Sequence, residues 1–303
     1  MDLPEFRTKM TGYKSDQTIY IKSLSMQRQK RFLFDSIKKK VKKIKNKINQ
    51  KLHPGRNPTD DSDTFVDPGH PVTRKNKITR RPTSTATAKS MLDYRPYMNP
   101  IENQGQCGSC YAFAVTAAIE GTYAFKTGAR IKLSQQQLVD CSPNYGCSGG
   151  FFGTTFDYIK QSGGLQSDAS YPYVASRQSC SSTSGNVGTI QGYGNTPPND
   201  EEEMKRALIT YGPLAAAICV TSDLQFYGPS QRSGASDIID IPSCPKQVDH
   251  AIAIVGYGTE KGQDYWLVRN SWGENWGLDG YFKVARNKDG MCGIATYGYY
   301  TQL

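Results

Sequence analysis

Apolar positions form two kinds of pattern along this 303-residue chain. Between Tyr111 and Ala124 the residues are mostly Ala, Val, Ile and aromatic, with no proline, which is typical of a buried helix. Later apolar or alternating runs, separated by glycine-rich breaks, predict strands at 214–220, 250–257, 265–269 and 280–285. A helical region followed by a sheet-rich region indicates an α+β protein with a cleft between two lobes.

Polar residues mark the starts of two more helices. Ser134 is followed three residues later by Gln137, which is the form of a capping box. Asp200 precedes three glutamates that favour the positive end of a helix, and we expect this helix to end near Gly212.

The amino-terminal region has a different pattern. An apolar stripe on a lysine-rich background predicts a basic amphipathic helix at about 33–52, and the proline-rich stretch 53–88 predicts an extended connector. The helix has three interpretations. It is a binding element for acidic membrane or nucleic acid, a solvated helix with one packed side, or part of an inhibitory propeptide.

Charge divides the chain at about the same place. Residues 1–90 contain 22 Lys and Arg against 8 Asp and Glu, whereas the remaining residues contain 15 against 19, although the whole chain carries a net charge of +10. All eight cysteines lie in the second part. We therefore predict a basic propeptide-like segment at 1–88 and a catalytic domain at 89–303, with a helical lobe at about 100–200 and a sheet-rich lobe at about 201–303.

The candidate chemistry centres on Cys110, which stands where the buried helix begins. The positive end of a helix stabilises a thiolate, so the position predicts a pKa below the ordinary cysteine value. The Cys107-x-x-Cys110 spacing would also suit a redox-active cysteine pair or half of a zinc site. No strand pattern precedes Cys107, and the spacing of Cys141 and Cys147 does not suit a zinc knuckle.

The sequence Cys107-Gly-Ser-Cys110-Tyr111 resembles the signature of the papain-like cysteine proteases, with Tyr111 where most members have Trp. The resemblance implies a papain-like two-lobe fold, with a helical lobe and a β-barrel-like lobe. It also implies that Cys110 is the nucleophile. Gln104, six residues earlier, would then form the oxyanion hole with the Cys110 amide.

The resemblance extends to the general base. Of three histidines, two lie in the proline-rich connector, and His250 lies in a Val-Asp-His-Ala phrase similar to that of the family. A lone histidine at the start of a strand would otherwise be a structural group. By resemblance His250 takes the thiol proton to give a thiolate–imidazolium pair, Asn270 orients its ring, and Trp272 shields that hydrogen bond from water.

Substrate-binding residues are implied in the same way. Gly149 and Gly150 would bind an extended peptide backbone, with Trp272 beside the catalytic pair. The second pocket upstream of the cut bond would be apolar, formed by Phe151, Phe152, Ala217, Ala251 and Tyr297. No long insertion follows Gly150, so endopeptidase action is expected.

Cysteine pairing is not decided by the sequence itself, because six bridging cysteines allow many connectivities. The resemblance implies the disulfides Cys107–Cys147, Cys141–Cys180 and Cys244–Cys292. Cys219 lies in an apolar run, and we interpret it as a small core residue.

These observations predict a cysteine endopeptidase made as a zymogen. It would be a monomer, act on peptide or protein substrates, and bind its own propeptide. The alternative is a catalytically inactive papain-fold protein whose Lys-rich helix binds nucleic acid, through 36–51, or another acidic surface. No cofactor, metal or membrane span is expected. The cysteines indicate an oxidising setting of lysosome-like, extracellular or virion type, although the amino terminus lacks the apolar run of a signal peptide.

Overall fold

A computed structural model describes residues 1–12, 90–181, 184–228 and 237–303, all of which belong to one compact unit. The predicted basic helix at 33–52, the connector at 53–88 and the proposed nucleic-acid contact at 36–51 lie outside the described residues.

Six α-helices occur within these residues. They are α1 (Leu3–Met10), α2 (Cys110–Thr127), α3 (Gln135–Cys141), α4 (Phe152–Gln161), α5 (Glu201–Tyr211) and α6 (Ser222–Gln225). Short 3-10 turns lie at Arg95–Tyr97, Gly146–Ser148 and Met291–Gly293. Helix α2 ends at Gly128, whose φ of 75° is left-handed and suits glycine.

Local capping explains the helix starts that the sequence predicts. Ser134 accepts a hydrogen bond from the Gln137 amide at 2.9 Å, but the Gln137 side chain accepts from the Gln166 amide at 2.8 Å instead of completing the capping box. Asp200 accepts from the Glu203 amide at 2.8 Å, and α5 ends before Gly212 as expected.

The described strands form one eight-stranded sheet. They are β1 (Leu92–Asp93), β2 (Gly192–Asn195), β3 (Leu214–Ile218), β4 (Ile238–Ile239), β5 (His250–Glu260), β6 (Gln263–Arg269), β7 (Tyr281–Ala285) and β8 (Gly298–Gln302). The order is β2-β8-β3-β5-β6-β7-β4, with β1 paired to β5. All pairs are antiparallel except β4–β7. Strands β1 and β2 join this sheet although they precede the predicted sheet-rich range.

Two apolar cores position the site. One lies within the sheet lobe, and the other joins α2, α3 and α4 to the inner face of β3 and β5. Ala217 and Ala251 face each other across β3 and β5, and both pack in the second core together with Cys110. Their small side chains let the start of α2 approach the start of β5, which places Cys110 and His250 at the same boundary between lobes.

None of the helices in the described ranges is long and apolar enough to cross a membrane.

Candidate active site

Cys110 is the first residue of α2 and is fully buried. Its Sγ accepts hydrogen bonds from the backbone amides of Gly12, at 3.2 Å, and Ala251, at 3.3 Å. Burial raises the pKa of the Cys110 thiol to about 12, and these amides only partly oppose that effect. In this covered site the pKa of Cys110 is raised and not lowered as predicted, because loss of water outweighs the hydrogen bonds that the sulfur accepts.

His250 begins β5, and its Nε2 lies 2.8 Å from Oδ1 of Asn270. An amide oxygen only accepts, so Nε2 carries the proton and Nδ1 presents a lone pair. Nδ1 has no hydrogen-bond partner among the described residues. Burial lowers the pKa of His250 to about 4, against the opposing effect of Asn270. Burial in the covered site thus disfavours both the thiolate of Cys110 and the imidazolium of His250.

Asn270 follows β6, and Trp272 lies two residues later. The His250 and Trp272 rings stack with centroids 4.6 Å apart, and Trp272 is only 7% exposed. Asn270 Oδ1 also accepts from the Ser271 amide at 2.8 Å, which fixes the carboxamide toward the imidazole. The indole therefore lies where the sequence predicts a shield for the His250–Asn270 hydrogen bond.

Gln104 is fully buried, and three of its polar groups are held by Ser271 and Cys107. Its backbone amide donates to the Ser271 carbonyl at 2.8 Å, its Oε1 accepts from Ser271 Oγ at 2.7 Å, and its Nε2 donates to the Cys107 carbonyl at 2.9 Å. Ser271 was not among the predicted site residues. Its position beside Asn270 is the only sequence signal that could have suggested it.

Residues 1–12, here called the cover segment, pass through this site. The Met10 carbonyl accepts from Gln104 Nε2 at 3.0 Å, and the Gly12 amide donates to Cys110 Sγ at 3.2 Å. The Gly12 carbonyl accepts from the Gly150 amide at 2.8 Å. The donors on Gln104 and Gly150 are therefore occupied by the chain itself. The Cys110 sulfur therefore faces the Gly12 N–H group and not the carbonyl carbon of a peptide bond.

Helix α1 anchors the cover segment to the sheet lobe. Arg7 Nε lies 3.2 Å from Oδ2 of Asp249 and 3.1 Å from the Val220 carbonyl. Arg7 Nη2 lies 3.4 Å from Cys219 Sγ. The Phe6 and Trp272 rings meet edge to face with centroids 4.8 Å apart. Helix α1 has no buried residue of its own. It is therefore held by an ion pair, an aromatic contact and hydrogen bonds to the backbone.

Gly12 occupies the tightest point of this passage. A Cβ built on Gly12 would lie 1.8 Å from the Gly108 carbonyl oxygen, well inside any normal contact. Only a glycine lets the backbone approach Cys110 and Gly150 together.

The predicted substrate residues fall into two groups. Phe152, Ala217, Ala251 and Tyr297 pack in or against the core that contains Cys110, with Tyr297 half-buried. Phe151 is half-buried at the start of α4 and faces Tyr145 with ring centroids 6.1 Å apart, outside that core.

The glycine pair Gly149 and Gly150 borders the site as an extended edge. Gly149 has φ 108° and ψ 179°, a conformation that requires glycine. Asn144 holds the edge by accepting from the Phe151 amide at 3.0 Å, and a Cβ on Gly150 would lie 2.7 Å from the Asn144 side chain.

Disulfides join Cys107 to Cys147, Cys141 to Cys180 and Cys244 to Cys292, the three pairs implied by the resemblance. Cys110 and Cys219 are free and buried. Within the described residues no group of three or more His, Cys, Asp or Glu side chains could hold a metal ion.

Comparison with known proteins identifies the family that the sequence motifs resemble. Residues 88–302 match the family described as "Papain family cysteine protease". The chain is 38% identical over 276 residues to cathepsin L1 of Drosophila melanogaster, covering 88% of this chain and 69% of that protein. It is 45% identical over 210 residues to a cathepsin L-like peptidase of Aedes aegypti, covering 67% of this chain and 60% of that protein.

Comparison with solved structures supports the same family and fold. Digestive procathepsin L 3 from Tenebrio molitor larval midgut has a TM-score of 0.66 and 37% identity, covering 73% of this chain and 72% of that one. The bromelain protease from Ananas comosus, in complex with the E64 inhibitor, has a TM-score of 0.65 and 35% identity, covering 71% of this chain and 99% of that one. The predicted papain-like fold is thereby confirmed.

Proposed function

Because this chain belongs to the papain family of cysteine proteases, we propose that it is the zymogen of an endopeptidase whose nucleophile is Cys110. Family membership confirms the predicted class of cysteine-type peptidase. The roles of individual residues are the proposal. The observation that carries it is the convergence of Cys110, His250, Asn270 and Gln104 on a site that the cover segment fills.

The reaction begins when the cover segment leaves. Nδ1 of His250 then takes the Cys110 proton, and the thiolate attacks a substrate carbonyl carbon. The negative oxygen that forms is stabilised by Gln104 Nε2 and by the Cys110 amide. In the covered state the same Nε2 donates to the Met10 carbonyl. His250 protonates the departing amine and afterwards activates the water that releases the acyl group.

Asn270 and Trp272 support this proton transfer. The hydrogen bond from His250 Nε2 to Asn270 keeps the unprotonated Nδ1 as the base, because the two ring nitrogens cannot exchange roles while that bond persists. Trp272 stacks on the ring and limits the water that reaches the bond.

Substrate recognition uses the contacts that the cover segment makes. The amide of Gly150, which now donates to Gly12, would donate to an extended peptide backbone. The adjoining pocket would be formed by Phe151, Phe152, Ala217, Ala251 and Tyr297. None of these five side chains carries charge, so the pocket favours an apolar residue two positions before the cut bond.

The cover segment acts as an inhibitor in this proposal. It occupies the Gln104 donor and the substrate edge, and it places an amide rather than a carbonyl carbon on the sulfur. The similar procathepsin L 3 structure is also that of a proenzyme. No feature of the described residues favours the alternative of an inactive binding protein. The monomeric state and the nucleic-acid contact at 36–51 stay predictions.

The direct test compares the two free cysteines. Cys110→Ala should reduce peptide hydrolysis by at least about a thousandfold, since removing a nucleophile abolishes the covalent route. Cys219→Ala is the matched control and should hydrolyse peptides within about twofold of wild type, because its thiol lies outside the reacting groups. Both variants are made as full-length chain, freed of the cover segment by the same added protease, and then assayed with a peptide-amide substrate. Ordinary turnover by Cys110→Ala would refute the assignment.

A further inference from the structure

We propose that Tyr173 is a positioning residue for catalysis, whose hydroxyl locks the backbone of Gln104 to the residue before the nucleophile. This inference rests on the proposed function, because it concerns the alignment of the oxyanion hole during peptide hydrolysis. Within the described residues the Tyr173 hydroxyl bonds to Ser109 and Gln104 and not to the thiol or the imidazole, so its effect passes through Gln104.

Hydrogen bonding at Tyr173 has a defined direction. The hydroxyl donates to the Gln104 backbone carbonyl at 2.8 Å, and Ser109 Oγ lies 2.6 Å from the same hydroxyl. A phenol has one proton, and a carbonyl oxygen only accepts. Ser109 is therefore the donor in the second bond, which is the shorter of its two contacts, since Ser109 Oγ also lies 3.3 Å from the Cys107 carbonyl. The chain of bonds runs from Ser109, immediately before Cys110, through Tyr173 to Gln104.

The tyrosine ring is itself held in place. It meets Phe113, on the first turn of α2, edge to face with centroids 4.9 Å apart and an interplanar angle of 85°. Burial raises the pKa of the Tyr173 phenol to about 12. The hydroxyl therefore remains protonated, and can donate, throughout the pH range in which a peptidase works.

Gln104 is held from both lobes, although the residue after it is a glycine that restricts the backbone little. Gly105 follows with a left-handed φ of 60°. Ser271 of the sheet lobe holds the Gln104 amide and Oε1, whereas Tyr173 of the helical lobe holds its carbonyl. An oxyanion donor must lie at about 3 Å from the developing charge, so a loose backbone costs rate rather than binding.

The test removes one oxygen atom. Tyr173→Phe keeps the ring against Phe113 and breaks both hydrogen bonds. We expect kcat for a peptide amide to fall by about fivefold to tenfold, with KM within about twofold, because the transition state alone carries the oxyanion. The rate of Cys110 alkylation by iodoacetamide should stay within about twofold, since alkylation forms no oxyanion.

The matched control is Tyr171→Phe, two residues away in the same Tyr-Pro-Tyr sequence. The Tyr171 hydroxyl donates to Asp140 at 2.9 Å and accepts from the Ser181 amide at 3.1 Å, without touching Gln104. Its loss should lower thermal stability while kcat stays within about twofold of wild type. Each variant is made as full-length chain, activated in parallel and counted by titration with an irreversible thiol-directed epoxide.

A double-variant cycle locates the effect. If Tyr173 acts through Gln104, then adding Tyr173→Phe to Gln104→Ala should change kcat by less than about twofold. Normal kcat in Tyr173→Phe, a parallel loss of alkylation rate, or full additivity with Gln104→Ala would each overturn the inference. If activated wild-type chain itself fails to hydrolyse peptides, the proposed function falls and takes this inference with it.

Discussion

The two helices that meet at Cys110 are held in opposite ways. Helix α2 has 18 residues, and all but four of them are buried, so Cys110, the proposed nucleophile, belongs to the core of the protein. Helix α1 has 8 residues and none is buried. It is attached through Arg7, Phe6 and a few backbone contacts. Although Leu3, Phe6 and Met10 pack against the core of the sheet lobe, no residue of α1 is itself buried, so we expect the cover segment to leave while α2 stays folded.

The strongest way to break this arrangement is Gly12→Ala. A methyl group at this position would collide with the Gly108 backbone, and forced overpacking costs about 1–3 kcal/mol. The cover segment should therefore be displaced, and the rate at which a thiol-directed epoxide labels Cys110 in unprocessed chain should rise by about 100-fold.

Gly228→Ala is the control for adding a methyl group, because a Cβ there meets nothing within 4 Å. Its unprocessed chain should be labelled at the wild-type rate. Equal labelling of the Gly12→Ala, Gly228→Ala and wild-type chains would show that the cover segment does not limit access to the sulfur.

A weaker perturbation is Arg7→Ala. The Arg7 side chain is 38% exposed, so its pairing with Asp249 is partly screened, but it also donates to the Val220 carbonyl. Together these contacts are worth about 1 kcal/mol, and labelling of Cys110 should accelerate by about fivefold.

Lys9→Ala is the matched control on the same helix. Lys9 pairs with Glu5 of α1 itself, at 2.7 Å, and not with the sheet lobe. Its removal should change labelling by less than about twofold. If Lys9→Ala and Arg7→Ala accelerate labelling equally, the specific contact with Asp249 does not anchor the cover segment.

Acid should release the cover segment by a smaller factor. Burial in the covered site lowers the pKa of His250 from 6.5 to about 4. When the site opens, the imidazole regains water and binds a proton more readily, so opening takes up protons between about pH 6.5 and pH 4. Because Trp272 still shields the ring after opening, we expect only about a threefold gain in opening between pH 7 and pH 5.

Hydrogen exchange at the Gly150 amide measures this opening, since that amide donates to Gly12 in the covered state. The chain should carry Cys110→Ala, so that it cannot process itself. Adding His250→Gln removes the titrating group and should abolish the pH dependence that remains after correction for intrinsic exchange. Opening that increases from pH 5 to pH 7 would contradict the linkage.

Local signals explain what the sequence predicts well. The start of α2 and the cap at Asp200 depend on residues within a few positions of each other, and the four predicted strand runs correspond to β3, β5, β6 and β7. Helix α4 was missed because no side chain caps it and Phe151 stands at its N-cap. Strand β2 has four residues, and its pairing with β8 joins distant parts of the chain.

In the site, too, some residues are predicted from local sequence and others are not. Cys110, His250, Asn270 and Gln104 were identified from phrases that resemble a family, and the structure brings these four residues to one place. The partners Gly12 and Arg7 lie about a hundred or more positions from the groups they contact, and no periodicity encodes such contacts. The pKa of Cys110 was mispredicted for that reason, since it depends on burial to which the cover segment contributes.

The most direct test is to map by mass spectrometry where a peptidyl epoxide reacts before and after removal of the cover segment. We expect slow reaction in the full-length chain and rapid formation of one thioether, at Cys110, once the segment is released. Labelling of Cys219, no labelling of either free cysteine, or equal rates before and after release would contradict it.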